Sequence, residues 1–521
     1  MAIAPSIAVT PWNKRHVAAF IVMIFGMFMA ILDIQIVSSS LSEIQAGISA
    51  SADEISWVQT SYLIAEVVMI PLSGTLTRIF STRYLFVMSA AGFTAMSFMC
   101  AISSSINEMM VWRALQGFVG GAMIPTVFAT TFAIFPADKR QVITPVIGLI
   151  ATLAPTIGPT VGGYLTELFS WHWLFLVNII PGIAVTIGAY FLIDFDKPDL
   201  KLIKNFDWTG LALLAIFLGT LEYILEEGAA DDWFQSALIS RLIMICTISG
   251  TVFFWRMFTK PNPLVDFAAF KNRNFTAGCI FSFTMGIGLY GLTYLYPVYL
   301  ARVHQYSALK IGETMFVSGV AMFLTAPIAG RLSVKVDPRI MIGGGFIGFA
   351  IGTYIASGIT IEWGFYELLL PQILRGVSLM MCMVTVTNIA LGTLTPQELR
   401  GGSGLFNLTR NLGGAVGLAL INTFMNQRMD LHLARLHESV SWGHDKALQT
   451  LQNMTYALSP LGSDAPSAAL KKLSGLVRQQ ATDMAIADIF VMLTFLFIGI
   501  VFLTPLLKKP KPVAASAGGG H

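Results

Sequence analysis

The chain has 521 residues, of which 55% are hydrophobic and 12% are charged, and its mean hydropathy is +0.70. An average soluble domain has about a quarter of its residues charged, so the composition excludes an ordinary soluble enzyme and indicates that most of the chain lies in a bilayer. The net charge of +3 is too small to indicate a nucleic-acid partner. The four cysteines lie far apart within apolar segments, which indicates neither a disulfide framework nor a metal site.

Apolar segments of about 20 residues predict fourteen membrane-spanning helices in an all-α polytopic protein. The segment at residues 17–32 could be the core of a signal peptide, but it continues to Val37, so we interpret it as a retained first helix. The predicted spans are residues 16–39, 56–77, 84–103, 109–134, 142–165, 173–193, 208–226, 236–257, 276–299, 309–331, 340–359, 366–394, 404–427 and 484–506.

Basic residues are distributed unequally between the two sides of this predicted topology. Of the 32 Lys and Arg residues, 20 lie in one alternating set of loops and at the two ends of the chain. The short loops on the other side carry only Arg302 and Lys310, beside seven acidic residues. The positive-inside rule therefore predicts that both termini are cytoplasmic.

A weak internal repeat divides the predicted helices into two sets. The segment GTLTRIFSTR at residues 74–83 is echoed by GRLSVKVDPR at residues 330–339, a separation of 256. Duplicated halves are typical of alternating-access transporters, although short inner loops are generally small and basic and could match by chance. The predicted divisions are a six-helix bundle at 1–194, a linker and two-helix insert at 195–262, a second six-helix bundle at 263–507 and a tail at 508–521.

The longest polar stretch of the second bundle, residues 428–483, is predicted to lie on the outer side. Its segments LHLARLHESV and ALKKLSGLVRQQ mix charged residues with Leu and Ala, which predicts two short amphipathic helices.

Two carboxyl groups lie near the middle of predicted spans, Asp33 in the first and Glu66 in the second. A charge there costs about 2.5 to 3.5 kcal/mol on insertion scales. At a helical rise of about 1.5 Å per residue, both lie about 10 to 15 Å below the outer surface, where adjacent helices can bring them to one cavity. Burial favours the protonated form, as a proton carrier needs. The alternative is that each carboxyl group only fixes a helix through a hydrogen bond or an ion pair. Glu222 lies one turn before Glu226 near an outer helix end, where a side chain that reaches the membrane surface is sufficient explanation.

Arg113, at the start of the fourth span, is the natural counter-ion for Asp33. A guanidinium group cannot be neutralised at accessible pH, so it must be paired or hydrated. Two hypotheses follow: a static structural pair, or a switch in which Arg113 releases the carboxylate when a proton or a cationic drug arrives. Arg375 and Arg410 lie in later spans near Asn388 and Asn407, where holding helices together is sufficient reason for them.

The fifth span contains the run APTIGPTVGG at residues 154–163. Pro155 and Pro159 each remove a backbone donor, and Gly158, Gly162 and Gly163 permit close helix contact and bending. The run therefore predicts a bend or hinge, although packing alone could explain it.

No nucleotide-driven chemistry is indicated. The phosphate-loop pattern GxxxxGK[ST] does not occur in the chain, so an ion gradient or a partner ATPase must supply the energy. The run GIGLYG at residues 286–291 matches a dinucleotide-binding pattern but lies in a membrane span with no strand before it. Neither an enzymatic activity nor a cofactor nor a metal is expected.

These motifs resemble those of the major facilitator superfamily, in particular its fourteen-helix drug:proton antiporter family and the EmrB-type multidrug efflux permeases. The resemblance rests on LDIQIV around Asp33, RALQGFVGGAMIP from Arg113, GPTVGGY from Gly158, WHWLFLVNIIPG from Trp171 and NPLVDFAAFKNRNF from Asn262. The chain departs from the family in two places: Arg78 stands where an Asp is usual, and serines occupy residues 38–40 where relatives have Asn, Val and Ala.

The resemblance implies two six-helix bundles with a two-helix insert, and a proton-coupled exporter of hydrophobic toxic compounds in a bacterial inner membrane. It also implies a periplasmic adaptor of the EmrA type and an outer-membrane channel of the TolC type as partners. Residues 428–483 are then the candidate contact for the adaptor, and the alternative is that they form a solvated linker. Asp33, Glu66 and Arg113 are the implied proton-coupling residues. The candidates for lining a cavity or for gating are Gln35, Gln116, Pro155, Gly158, Pro159, Gly162, Gly163, Asn178, Arg375, Asn407 and Arg410.

Three alternatives remain open on the sequence. A proton-coupled importer shares the fold, because fold does not fix the direction of transport. A lipid or fatty-acid exporter is a nearer variant of the main hypothesis. A membrane receptor or scaffold that does not transport is the third, and it leaves Asp33 and Glu66 without an evident purpose.

Overall fold

A computed structural model describes residues 14–51, 54–260, 263–440 and 445–508. Within these ranges the chain forms α-helices joined by turns and short 3-10 segments, and it contains no strand. The helices are α1 (Lys14–Ser38), α2 (Leu41–Ile48), α3 (Trp57–Ala101), α4 (Ile106–Gly120), α5 (Met123–Ile134), α6 (Ala137–Leu168), α7 (Trp173–Leu176), α8 (Ile179–Leu192), α9 (Trp208–Glu227), α10 (Ala237–Thr259), α11 (Arg273–Arg302), α12 (Ala308–Lys335), α13 (Pro338–Ala356), α14 (Phe365–Gly392), α15 (Pro396–Ser439), α16 (Asp445–Ala457) and α17 (Ala465–Val501).

The observed helices agree with fourteen membrane crossings. Twelve helical segments of the described ranges are long and apolar enough to cross a bilayer. One of them, α3, has 45 residues and a break at Ser81 (φ 72°, ψ 161°), so it contains two predicted spans. The fourteenth crossing is the middle of α15, which is not among the twelve and which buries Asn407 and Arg410. The outward-facing side chains are apolar, for example Ile180 at 81% exposure, as expected for a multi-pass membrane protein.

The sequence repeat has a structural counterpart at one end of the bundle. The closing arginine of the first copy, Arg83, donates to the carbonyl of Ile193, just after α8 ends. The closing arginine of the second copy, Arg339, donates to the carbonyl of Leu507 at 2.6 Å, beyond the end of α17. Carbonyl groups at helix ends lack an intrahelical donor, so the two copies perform the same capping task. The divisions at 194/195 and 262/263 stay predictions.

A second pair of contacts follows the same pattern. Arg15 in α1 donates to the carbonyl of Phe191 at 2.8 Å, and Arg273 in α11 donates to the carbonyl of Leu506 at 2.6 Å. The first and last long helices of each set therefore meet at the same end. We call this end, which carries Arg15, Arg83, Arg273 and Arg339, the basic end.

The two-helix insert, α9 and α10, lies against both sets of helices, because α9 packs on α3 and α15. Away from the basic end, Thr60 Oγ1 in α3 donates to Glu227 Oε1 at 3.1 Å. Trp233, in the turn after α9, donates from Nε1 to Thr423 Oγ1 in α15 at 2.9 Å. The insert thus joins the two sets at the end opposite the basic end, a placement for which the sequence offered no expectation.

The prediction of two short amphipathic helices within residues 428–483 was wrong. The first segment, 431–440, lies almost wholly in α15, which runs on to Ser439 without a break, and the second, 469–480, lies in α17, which continues into the last span. The two long helices contact each other where the last span begins, since His432 Nε2 and Asp488 Oδ2 lie 2.8 Å apart. We call residues 428–440 and 445–483 the helical extension. Of the predicted tail at 508–521, all but Lys508 lies outside the described residues.

Candidate functional site

The centre of the site is an ion pair between Asp33 in α1 and Arg113 in α4. Arg113 Nη1 donates to Asp33 Oδ2 at 2.6 Å, and both side chains have an exposure of 0%. Complete burial removes the pair from solvent, so its attraction is not screened by salt. The sequence-based expectation of this pairing agrees with the geometry.

Two amides complete the hydrogen bonding of the Asp33 carboxylate. Asn178 Nδ2 donates to Oδ1 of Asp33 at 2.7 Å, and Gln116 Nε2 donates to the same oxygen at 3.3 Å. Gln116 Oε1 in turn accepts from Arg113 Nη1 at 2.8 Å. Asn178 lies at the start of α8, so the network ties together α1, α4 and α8. Gln116 and Asn178 are thus neighbours of Asp33, and their role in lining a cavity or in gating stays a prediction.

Tyr62 is a member of the site that the sequence analysis missed. The Arg113 Cζ lies 4.2 Å from the centroid of the Tyr62 ring, and Arg113 Nε donates to the Val58 carbonyl at 3.1 Å. The ring face therefore adds a cation–π attraction to the ion pair. The sequence could have indicated this residue, because Tyr62 lies one helical turn before Glu66 and therefore on the same face of α3.

Glu66 lies close to this network but outside it. Its side chain is 3% exposed, and it makes no hydrogen bond or ion pair with the described residues. Arg113 and Arg410 are near enough to attract its charged form, and Asp33 is near enough to repel it. Asp33 and Glu66 thus share one electrostatic environment, although only Asp33 contacts Arg113 directly.

The Pro-Gly run of α6 packs against the same face of α1. A Cβ atom on Gly158 would lie 2.3 Å from Gln35 Cβ, and one on Gly162 would lie 2.7 Å from Ser39 Oγ. Glycine is therefore required for the observed approach of the two helices, two residues beyond Asp33. The run does not interrupt α6, which continues through Pro155 and Pro159 as one helix, with Gly163 half-buried.

Two further candidates occupy α15. Arg410 Nη2 donates to Asn407 Oδ1 at 2.7 Å, and Arg410 Cζ lies 5.4 Å from the Phe128 ring centroid in α5. Arg410 is buried and makes no ion pair within the described ranges. Because Phe128 belongs to the first set of helices, this contact brings a cation of the second set to the interface between the two sets.

Arg375 is not part of this site. It is buried within the second set of helices, where it donates to Thr293 Oγ1 and to Gln372 Oε1, the latter at 3.3 Å. Its partners lie in α11 and α14, which favours the structural hypothesis of a residue that holds helices together.

At the basic end the two sets are joined by residues that the sequence analysis did not single out. Arg400 Nη2 in α15 lies 3.4 Å from Asp196 Oδ2, which also accepts from Thr82 Oγ1 at 3.1 Å. A Cβ on Gly74 would lie 2.7 Å from the Arg400 carbonyl oxygen. Arg78, the departure from the family pattern, is exposed. In this chain, therefore, Asp196 forms the ion pair with the arginine of the other helix set.

Two known proteins are similar to this chain over nearly its full length. The colistin resistance protein EmrB of Acinetobacter baumannii is 42% identical over 498 residues, covering 96% of this chain and 97% of that protein. The multidrug export protein EmrB of Escherichia coli K12 is 30% identical over 507 residues, covering 96% of this chain and 97% of its own.

A solved structure shows the same architecture. The human organic anion transporter MFSD10 superposes with a TM-score of 0.59 at 13% identity, covering 94% of this chain and all of that one. At this identity the likeness concerns the fold alone. The sequence model of the Major Facilitator Superfamily matches residues 23–418. With its two sets of helices, its repeat contacts and relatives of full length, the chain belongs to the Major Facilitator Superfamily.

Proposed function

We propose that the protein is a proton-coupled multidrug exporter that works by alternating access. The observation that carries the proposal is the fully buried Asp33–Arg113 pair, with Glu66 beside it and Asn178 and Gln116 around it. Relatives named for multidrug export and colistin resistance, each matched over nearly its full length, support the export of drugs. A buried carboxylate with one cationic partner is suited to exchange that partner for a proton.

The chemistry follows from the contacts of Asp33. A proton that binds Asp33 cancels the charge that holds Arg113 at 2.6 Å, while Gln116 and the Val58 carbonyl can still hold the guanidinium. The network therefore has two arrangements, and α1, α4 and α8 shift relative to one another as it changes between them. Release of the proton at the other side restores the pair and resets the cycle.

The energy available from one proton is sufficient. A single charge that moves down a potential of 100 mV supplies about 2.3 kcal/mol, which supports roughly a fiftyfold gradient of an uncharged substrate. The Met and Phe side chains around the interface, Phe128 among them, suit apolar substrates of varied shape better than one strict ligand.

We further propose a bacterial inner-membrane location with the basic end in the cytoplasm, following the positive-inside rule. The helical extension then projects into the periplasm. It exposes Tyr456 and Leu470, apolar side chains that lie beyond the membrane layer. This supports its use as the contact for an EmrA-type adaptor, which in turn would reach a TolC-type channel.

Uptake into proteoliposomes tests the transport proposal. Purified protein is given ethidium, rhodamine 6G, tetracycline and oleate under an imposed pH gradient. An exporter accumulates a dye or drug when the vesicle lumen is acidic. Accumulation only when the lumen is alkaline indicates an importer, transport of oleate alone indicates a fatty-acid exporter, and absence of any transport supports a receptor or scaffold.

A further inference from the structure

The insert helix α9 carries carboxyl groups on the face that meets the interface between the two helix sets. Glu222 and Glu226 are four residues apart, so they lie on one side of the helix about 6 Å from each other. Glu222 is 6% exposed, although it belongs to a helix whose other faces meet lipid. The sequence-based interpretation, in which the Glu222 side chain reaches the membrane surface, was therefore wrong, because the side chain is buried.

The hydrogen bond between Thr60 and Glu227 fixes how α9 and α3 align. These residues lie at the same level, 3.1 Å apart, and the neighbouring rings of Trp57 and Tyr223 have centroids 5.3 Å apart. From that level, Glu222 lies five residues before Glu227 in α9, and Glu66 lies six residues after Thr60 in α3. At about 1.5 Å per residue, both lie about 8 to 9 Å towards the centre of the membrane. Glu222 therefore faces the interface at the depth of Glu66.

Glu222 has an unsatisfied oxygen. Its Oε2 atom is buried and has no hydrogen-bond partner among the described residues. An ionised carboxylate buried without a partner is strongly unfavourable, so the group must be protonated or hold a cation for at least part of the time.

The groups around Glu222 favour a proton over a fixed counter-ion. Among the residues that the structure describes, the charges that act on it are those of Glu226 on its own helix and Glu66 on α3, and both are acidic. Tyr290 of α11 also lies within electrostatic range, and its hydroxyl donates to Asn411 Oδ1 of α15 at 3.4 Å. On the side of α10 the contacts are apolar, with Ile224 packing beside Ile239 and Cys246. Arg410 is close to Glu66 and Tyr290 rather than to Glu222.

We propose that Glu222 is a further proton-binding residue of the transport cycle, which relays protons between Glu226 at the end of the insert and Glu66 at the interface. The proposal rests on the proposed function and extends it to the insert. In each step a proton leaves one carboxyl group through a water molecule and binds the next carboxylate, so each group returns to its starting form. The insert thereby supplies a path from the outer end to the centre that neither six-helix set contains alone.

Transport by the variant Glu222→Gln tests the relay. Gln has the shape of protonated Glu and cannot release a proton. We expect uptake of ethidium or rhodamine 6G into vesicles with an acidic lumen to fall by at least about tenfold, while dye-for-dye exchange at equal pH stays within about twofold. The matched control is Asp231→Asn, which removes a carboxylate from the turn of the same insert, and it should leave both rates unchanged. Glu222→Asp should recover part of the pH-driven rate.

Two results would overturn the relay. One is pH-driven uptake by Glu222→Gln at the wild-type rate. The other is an equal loss of uptake and of dye exchange in a variant that elutes as a folded monodisperse protein, because Glu222 would then bind the dye rather than the proton.

A second measurement separates this proposal from the proposed function. Infrared difference spectra of the purified protein between alkaline and acidic buffer report the C=O band of protonated carboxyl groups and need no transport. We expect Glu222→Gln to lose one component of that band and Asp231→Asn to keep it. If wild-type protein moves no compound yet shows this component, transport is disproved and proton binding at Glu222 stands. If the component is absent from wild-type protein, the relay is disproved even where pH-driven transport is observed.

Discussion

Arg113 Nη1 lies 2.6 Å from Asp33 Oδ2, and neither side chain has any exposed surface. A pair in this position has no water to replace either partner, so removing one charge leaves the other buried and uncompensated. The pair is therefore both a structural link between α1 and α4 and a sensitive point at which a proton can change the structure.

Asp33→Asn should abolish proton-driven efflux while dye binding remains measurable, because Asn keeps the hydrogen bonds to Asn178 and Gln116 but cannot exchange a proton. The measurement is uptake into acidic-lumen vesicles, with dye binding followed by fluorescence anisotropy. Unimpaired efflux by this variant would contradict the assignment of Asp33.

The same pair predicts an asymmetry in stability. Arg113→Ala should lower the free energy of unfolding by about 3 to 5 kcal/mol, because it leaves the buried Asp33 carboxylate without a counter-ion. The double variant Asp33→Asn with Arg113→Gln should recover part of that loss, since neither charge is then present. Thermal unfolding in detergent measures both. Equal stability of Arg113→Ala and the wild type would show that the pair is not buried in solution.

Gly158→Ala should impair transport by forcing α1 and α6 apart, because the new Cβ would lie 2.3 Å from Gln35 Cβ. Overpacking of this kind costs about 1 to 3 kcal/mol. The matched control is Gly344→Ala in α13, where a Cβ meets nothing within 4 Å. Dye uptake and thermal unfolding of the two variants give the comparison, and equal behaviour of both would refute the close-approach argument.

Arg400→Ala should loosen the basic end, because it removes the contact of 3.4 Å between Arg400 and Asp196 that joins the two helix sets. The readout is the rate at which a cysteine introduced at Thr144, whose hydroxyl is 2.9 Å from Asn388 Oδ1 across the same interface, reacts with a water-soluble maleimide. We expect a severalfold faster reaction. Arg331→Ala, at an exposed position of the same end, is the control. An identical rate in both would argue that Arg400 does not close this end.

Asp207 gives a prediction of pH dependence at the base of the insert. Burial alone would raise the pKa of Asp207, but its hydrogen bonds and charge interactions with Arg256 and Lys260 outweigh burial and hold the pKa at about 2. An unfolded Asp has a pKa of about 3.9, so the stabilisation of about 2 kcal/mol is complete above about pH 4 and is lost as the pH falls towards 2.

Asp207→Asn should therefore be less stable than the wild type at pH 6, and the difference should shrink below about pH 4. Thermal unfolding across this range measures it. Asp199→Asn, at an exposed position of the preceding linker, is the control. If the difference in stability between the two proteins stays constant down to pH 2, the effect of the substitution does not come from the charge of Asp207.

Much of the site was accessible from the sequence because charges in membrane spans are costly and therefore conspicuous. Asp33, Glu66 and Arg113 stand out for that reason, and Asn178 and Gln116 follow from the resemblance. Tyr62 and Asp196 were missed, because an aromatic residue in a span and an acidic residue in a loop are both ordinary in isolation. Only their contacts with Arg113 and Arg400 distinguish them.

The sequence by itself determined the membrane class, the fourteen crossings and the internal repeat, because these follow from hydropathy and local residue order, which act along the chain. The tertiary structure decided which buried charges meet, that the segments on either side of the outer loop are the ends of long helices, and that the insert bridges the two helix sets. Those facts depend on how helices pack side by side, and residues such as Asp33 and Asn178 or Glu66 and Glu222 are brought together only by packing between helices far apart in sequence.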